Sequence, residues 1–212
     1  MVESAVTFGR YNLFTYGHIS TIIEILKEYK RINIGLIIND EKSRIQIDKN
    51  LKEFYKLADK NYTDKKLLLP VALREKFIME GLKEFDPRLG KYISVVRIKR
   101  PEYFVEEFNA KFPKEMYDIV FPDSKNENNE FDILRNSYMS TILSRNIKFV
   151  NPKLTVHSSE IKEGMERYVP KNVLKLLHKY EREKKERAAG CFTCKAWVSR
   201  IQRKSESHYY DR

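Results

Sequence analysis

Ala5-Val6-Thr7-Phe8 runs directly into Gly9-Arg10-Tyr11-Asn12-Leu13-Phe14-Thr15-Tyr16-Gly17-His18. The first four residues make a short apolar run, which reads as a strand. After His18, Ile19, Ile22, Ile23 and Leu26 recur at i, i+3, i+4 and i+7, the apolar stripe of an amphipathic helix over 19–30. The order is therefore strand, loop, helix, with two glycines in the loop and a histidine where the helix begins. A helix N-terminus carries unpaired N–H groups and a partial positive charge, so it suits phosphate. Glycine lets a ligand approach the backbone more closely than a Cβ would allow. A histidine there can donate to phosphate oxygens, charged or neutral, near pH 7.

Working outward, Ile32-Asn33-Ile34-Gly35-Leu36-Ile37-Ile38 is a near-continuous apolar run, expected for a parallel strand buried on both faces. Strand, helix and strand make a βαβ unit, and ligands of such sheets bind beyond the carboxyl ends of the strands. Asn39-Asp40-Glu41-Lys42 falls at that edge, so Lys42 and Arg44 are candidates to hold a phosphate of a second substrate; a solvated polar turn is the competing reading. Residues 45–87 read as helical with a break near Pro70 and an end at Asp86-Pro87. Arg74 and Lys76 flank the second apolar stripe there and are expected to face solvent. Strands follow at 92–98, 118–121 and 147–150, with helices at 101–112, where Pro101 suits a first turn, and 131–144. The alternation predicts an α/β, doubly wound, Rossmann-like parallel sheet of five strands.

A second anion-binding pattern comes late, in Val156-His157-Ser158-Ser159-Glu160-Ile161-Lys162. Ser158 or Ser159 can cap a helix, and Lys162 stands one turn later on the same face. Such a group would hold the β- and γ-phosphates of a nucleotide.

The first stretch resembles the signature loop of the nucleotidylyltransferase superfamily, G-x-F-x-x-x-H-x-G-H after the first strand. Gly9, Tyr11, Gly17 and His18 match in place, and Thr15 stands where most families have the first histidine. Arg10 is similar to the G-R-F form of nicotinamide-mononucleotide adenylyltransferases, and T-x-G-H to the loop of phosphopantetheine adenylyltransferases. The late stretch resembles I-S-S-T-x-I-R, with Ser158, Ser159, Ile161 and Lys162 in register and His157 in place of the first serine. Tyr168-Val169-Pro170-Lys171-Asn172-Val173 is similar to the V-P-x-x-V that follows it in both adenylyltransferase groups. Ser140-Thr141 is a rival that resembles the I-S-T of cytidylyltransferases. Asn39 to Lys42 is similar both to an N-P-x-K pattern of phosphopantetheine adenylyltransferases and to an acidic pair of cytidylyltransferases.

The resemblance covers roughly 4–180 and implies a nucleotidylyltransferase, most readily one that moves AMP from ATP to a phosphate-bearing small molecule and releases pyrophosphate. A cytidylyltransferase or a non-catalytic nucleotide-binding module are the alternatives. It implies that Phe8, Gly9, Arg10, Tyr11, Gly17, His18, His157, Ser158, Ser159 and Lys162 surround the nucleotide. His18, helped by Thr15 and Lys162, would act on the phosphates. Magnesium is expected on the nucleotide oxygens rather than in a carboxylate cage.

Composition sets the remaining bounds. The 212 residues suffice for one domain and an appendage, and a homo-oligomer is possible. A net charge of +11 favours phosphorylated or polyanionic partners. No nucleic-acid-binding motif accompanies it, and a nucleic-acid binder would account for neither motif. The start lacks a basic and apolar leader and no apolar run reaches the ~20 residues of a membrane span, so a cytoplasmic location is the default. The domain is expected over 1–180. A basic helical or flexible tail follows over 181–212, with Cys191 and Cys194 as an incidental CxxC.

Overall fold

The computed structural model describes residues 2–38, 48–63, 69–123, 130–156 and 166–187, with nothing said of the side chains of 61–63 and 130–132. Lys42, Arg44, His157, Ser158, Ser159, Lys162, Cys191 and Cys194 lie outside the described residues. Contacts divide the chain into two compact units, 1–173 and 174–212.

Five strands form one parallel sheet: β1 (Ser4–Gly9), β2 (Arg31–Ile37), β3 (Ile93–Ile98), β4 (Tyr117–Pro122) and β5 (Ile147–Val150). The order is β3-β2-β1-β4-β5. The fold is thus the Rossmann-like doubly wound sheet that the alternation predicts. β1 is central and its middle four residues are buried; β2 is buried over most of its length. That is why both read as apolar runs rather than alternating strands. The strand order reverses between β1 and β4, and such switch points open a crevice at the carboxyl ends of the strands.

The helices are α1 (Tyr16–Leu26), α2 (Lys52–Thr63), α3 (Val71–Phe85), α4 (Val105–Lys111), α5 (Glu130–Leu143) and α6 over 171–187. One core gathers Phe8 from β1, Phe54 and Tyr55 from α2, Phe108 from α4 and Met139 and Leu143 from α5. Phe8 meets Phe108 and Phe121 edge-on, with centroids 5.1 and 4.8 Å apart. Edge-to-face pairs of this kind add roughly 0.5–1.5 kcal/mol beyond burial. Among the described residues no helix is long and apolar enough to cross a membrane.

Pro70 precedes α3 and Asp86 ends it, both where proline chemistry places them. Three sequence expectations need correction. The periodicity begins α1 at 19 and carries it to 30, whereas the helix starts at Tyr16, because Thr15 caps it, and stops at Leu26. Its last turn tightens into i to i−3 bonds, Lys27 N–H to Glu24 at 3.3 Å and Glu28 N–H to Ile25 at 3.1 Å. Ile19, Ile22 and Ile25 form its fully buried face.

The helix expected from Pro101 instead starts at Val105. Residues 101–103 form a turn in which the N–H groups of Tyr103 and Phe104 donate to Arg100. The Glu102 carbonyl faces the Tyr55 hydroxyl at 2.7 Å, and the buried Arg100 bonds the Glu102 carboxylate at 2.9 Å and Asp59 at 3.0 Å. Burial pushes the Glu102 carboxyl up, against the neighbouring guanidinium.

Arg74, expected at the surface, is completely buried. Its Nε donates to Leu69 at 2.9 Å, Nη1 to the carbonyls of Arg10 at 2.6 Å and Ile37 at 2.8 Å, and Nη2 to Ile38 at 3.3 Å. Carbonyls at the carboxyl ends of parallel strands have no further ladder partner, and the guanidinium fork satisfies them.

Candidate functional site

The loop from Gly9 to His18 leaves β1 at the carboxyl edge of the sheet, beside the switch point. Thr15 is the N-cap of α1, with φ −115° and ψ 167°, and His18 is the third residue of the helix. The two form a reciprocal capping box. The Thr15 hydroxyl oxygen accepts from the His18 N–H at 3.5 Å, and the Thr15 N–H donates to His18 Nδ1 at 3.0 Å. A main-chain N–H cannot give up its proton, so Nδ1 is the acceptor here and the proton of the neutral ring belongs on Nε2. His18 therefore carries its donor on Nε2.

The ring is held on its faces as well. Phe14 stacks on it at 5.4 Å and 10° between planes, and Tyr11 packs against it at 5.1 Å and 60°. Phe14 and Tyr11 are buried, while His18 is half-buried. Tyr11 has φ +46°, a left-handed backbone that costs a non-glycine residue roughly 1–3 kcal/mol. Burial pushes its phenol up to about 12, with a hydrogen bond to Thr7 acting in the opposite direction.

Thr15 is entirely buried, and its hydroxyl has two acceptors within the protein: His18 Nδ1 at 2.9 Å and the Val156 carbonyl at 3.1 Å. Gly17 faces the same segment. A Cβ built there would lie 2.7 Å from the Val156 nitrogen and 2.8 Å from its oxygen. So this glycine is required by another stretch of main chain rather than by a ligand. Ser20 adds a third tie, its hydroxyl oxygen accepting the Leu154 N–H at 3.1 Å. The first turns of α1 thereby hold residues 154–156, which lead into His157, Ser158 and Ser159. The structure brings the threshold of the second motif onto the first.

Gly9 is different. A Cβ there would meet the Tyr11 ring at 3.5 Å, an ordinary contact, so internal packing does not demand glycine at this position. Phe8 directs its ring into the core, leaving only its main chain near the loop. Arg10 presents its carbonyl to Arg74, whose pKa is lowered to about 10 by burial and by the positive Arg10 nearby. The V-P-x-x-V segment starts α6, and the free N–H groups of Lys171 and Asn172 donate to the Glu84 carboxylate at 2.8 and 2.6 Å. That helix start is already satisfied. Glu84 also accepts from the Tyr16 hydroxyl at 3.4 Å, which joins Lys171 and Asn172 to the first residue of α1. Among the described residues no group of His, Cys, Asp or Glu is placed to hold a metal ion.

Sequence reasoning missed Phe14, Ser20, Arg74 and Glu84. Phe14 lies four residues before His18, a helical spacing, but it precedes the helix. The others act through main-chain groups that leave no side-chain pattern.

The class that these features define is a Rossmann-like α/β fold with a capped, histidine-bearing helix start at the carboxyl end of its central strand. The sequence matches no family model and no curated relative. Solved structures do share the fold. A bifunctional NMN adenylyltransferase/ADP ribose pyrophosphatase from Francisella tularensis aligns with a TM-score of 0.56 at 15% identity. The alignment covers 94% of this chain and 57% of that one. The same enzyme complexed with AMP and a manganese ion aligns with a TM-score of 0.54 at 14% identity, over 94% and 56% of the two chains. This chain thus spans a little over half the length of that enzyme. A putative nicotinate-nucleotide adenylyltransferase from Vibrio parahaemolyticus aligns at 16% identity with a TM-score of 0.48, over 84% and 93%.

Proposed function

We propose that the protein is a nucleotidylyltransferase that transfers a nucleoside monophosphate, AMP from ATP in the favoured case, to a phosphate-bearing small molecule. The observation that carries this reading is the convergence of the two motifs: Thr15 and Gly17 of the first loop hold Val156 at the entrance to the second. A site for one triphosphate needs the donor of the first motif and the serines and lysine of the second within one ligand's length.

The chemistry this reading implies is an in-line transfer. An acceptor phosphate oxygen attacks the α-phosphorus in line. The new P–O bond forms as the bond to the oxygen bridging toward the β-phosphate breaks, and pyrophosphate leaves. Transfers of this kind need positioning and charge stabilisation rather than covalent catalysis. His18 offers Nε2–H to the α-phosphate oxygen where charge builds. Thr15 acts through His18, fixing its tautomer and tilt. Ser158, Ser159 and Lys162, with His157 beside them, take the β- and γ-phosphates. The main chain of Phe8, Gly9, Arg10 and Tyr11 lies against the nucleotide. Lys42 and Arg44 orient the acceptor. Magnesium arrives on the triphosphate oxygens.

The test is pyrophosphate release from ATP, CTP, GTP and UTP with magnesium, each against a panel of phosphorylated acceptors. Release with ATP and one acceptor supports the proposal. Release with CTP alone moves the protein to the cytidylyltransferases. Saturable nucleotide binding without release across the panel favours a binding module.

A further inference from the structure

Tyr11 is the turning point of the loop, and both of its neighbours are tied to the start of α3. On one side Arg74 donates to the Arg10 carbonyl at 2.6 Å. That carbonyl belongs to the peptide whose plane, rotated about the Tyr11 N–Cα bond, defines the +46° torsion. On the other side the Leu69 N–H donates to the Asn12 side-chain oxygen at 2.9 Å. The two ties meet, because the Leu69 carbonyl accepts from Arg74 Nε at 2.9 Å. The same guanidinium reaches the Ile37 and Ile38 carbonyls at the end of β2. One buried side chain therefore spans the exits of β1 and β2 and the entry to α3.

We propose that Arg74 is a positioning residue for the nucleotide loop: it locks the Arg10–Tyr11 peptide in the plane that presses the Tyr11 ring against His18. The inference rests on reading 9–18 as the nucleotide loop. A lysine at 74 would keep the charge and lose the fork, since a single ammonium cannot address carbonyls spread across two strand ends and a loop. With the fork gone, Tyr11 is free to leave its strained conformation, and the Tyr11 face of His18 loosens.

The experiment compares the full chain with Arg74→Lys, Asn12→Ala and Ile78→Val. Ile78 is buried in α3 and makes none of these hydrogen bonds, so its variant reports general loosening of that helix. Amide hydrogen exchange is followed on peptides covering 9–14, alongside the affinity for magnesium-ATP. Arg74→Lys is expected to speed exchange across 9–14 by about tenfold or more, and to weaken ATP by a similar factor, while β4 and β5 stay protected. Asn12→Ala is expected to shift the loop in the same direction to a smaller extent, and it carries the test if Arg74→Lys does not fold. Loop exchange in both variants no faster than in Ile78→Val would overturn the proposal. An unaltered chain that binds no nucleotide would defeat the functional reading, and the exchange data would still decide the role of Arg74. ATP affinity unchanged in a chain whose loop has loosened would also overturn it.

Discussion

At the residue scale, what a side chain does here depends on which of its atoms are already engaged. His18 has Nδ1 occupied by the Thr15 N–H, so Nε2 can only be a donor in the neutral ring. Thr15 stands where the loop it resembles has its first histidine, yet it is buried and its hydroxyl reaches the Val156 carbonyl. Thr15→Val should keep the main-chain bond to Nδ1 but lose the cap and the tie to Val156. The expected cost is about 1–2 kcal/mol in chemical denaturation. Thr15→Ser, which restores the hydroxyl, should recover most of it. Equal stability of the Val and Ser variants would mean that the hydroxyl contributes little. None of this was legible from residue types alone. The sequence placed Thr15 and His18 at a helix start, but a capping box in which histidine is the reciprocal partner needs coordinates to be seen.

Element-scale features set how the two motifs meet. Gly17 lets Val156 lie against the first turn of α1, and an added methyl would stand 2.7 Å from main-chain nitrogen, where nothing can yield cheaply. Gly17→Ala is therefore expected to displace 154–156, lowering the melting temperature and weakening nucleotide binding by roughly tenfold or more. Gly9→Ala, which meets only an ordinary 3.5 Å contact, should fold normally and lose affinity for nucleotide if a ligand approaches there. A Gly9→Ala variant that melts as low as Gly17→Ala, or one that binds nucleotide as well as the unaltered chain, would contradict this division of roles. At the far end of α3, Asp86 accepts from the Arg88 guanidinium and main chain, which hold its carboxyl down to about 2 from an ordinary 3.8. A depressed folded-state pKa contributes stability above 3.8 that is lost as pH falls toward 2. The melting temperature of Asp86→Asn should thus lie below that of the unaltered chain near neutrality, and the gap should close in that acid window. A gap that is constant with pH would remove the ion pair as its cause.

For the whole molecule, the apolar runs of β1 and β2 and the spacing of strands and helices carried enough to state the sheet class before the structure was known. The class admits more than one strand order, and β3-β2-β1-β4-β5 needed coordinates to be seen. What else stayed hidden has one physical origin. Arg74, Glu84 and Ser20 work on main-chain carbonyls and amides, and backbone partners leave no residue pattern to read. A charged residue beside an apolar stripe looks solvated unless the ends of two strands are known to converge on it. The +11 net charge, similarly, tells of anionic partners without saying which. If the partner is a nucleotide held by specific donors, affinity should weaken only modestly with salt, whereas a nucleic-acid binder would lose several orders of magnitude between low and physiological salt. The account stands or falls on the chemistry at His18. The deciding measurement is the rate of pyrophosphate release from magnesium-ATP with a phosphorylated acceptor, for the unaltered chain and for His18→Ala. Turnover is expected to be at least ~10²-fold lower in the variant, with nucleotide affinity changed far less, because the donor acts on charge that develops during transfer. Equal turnover in the two proteins would contradict it.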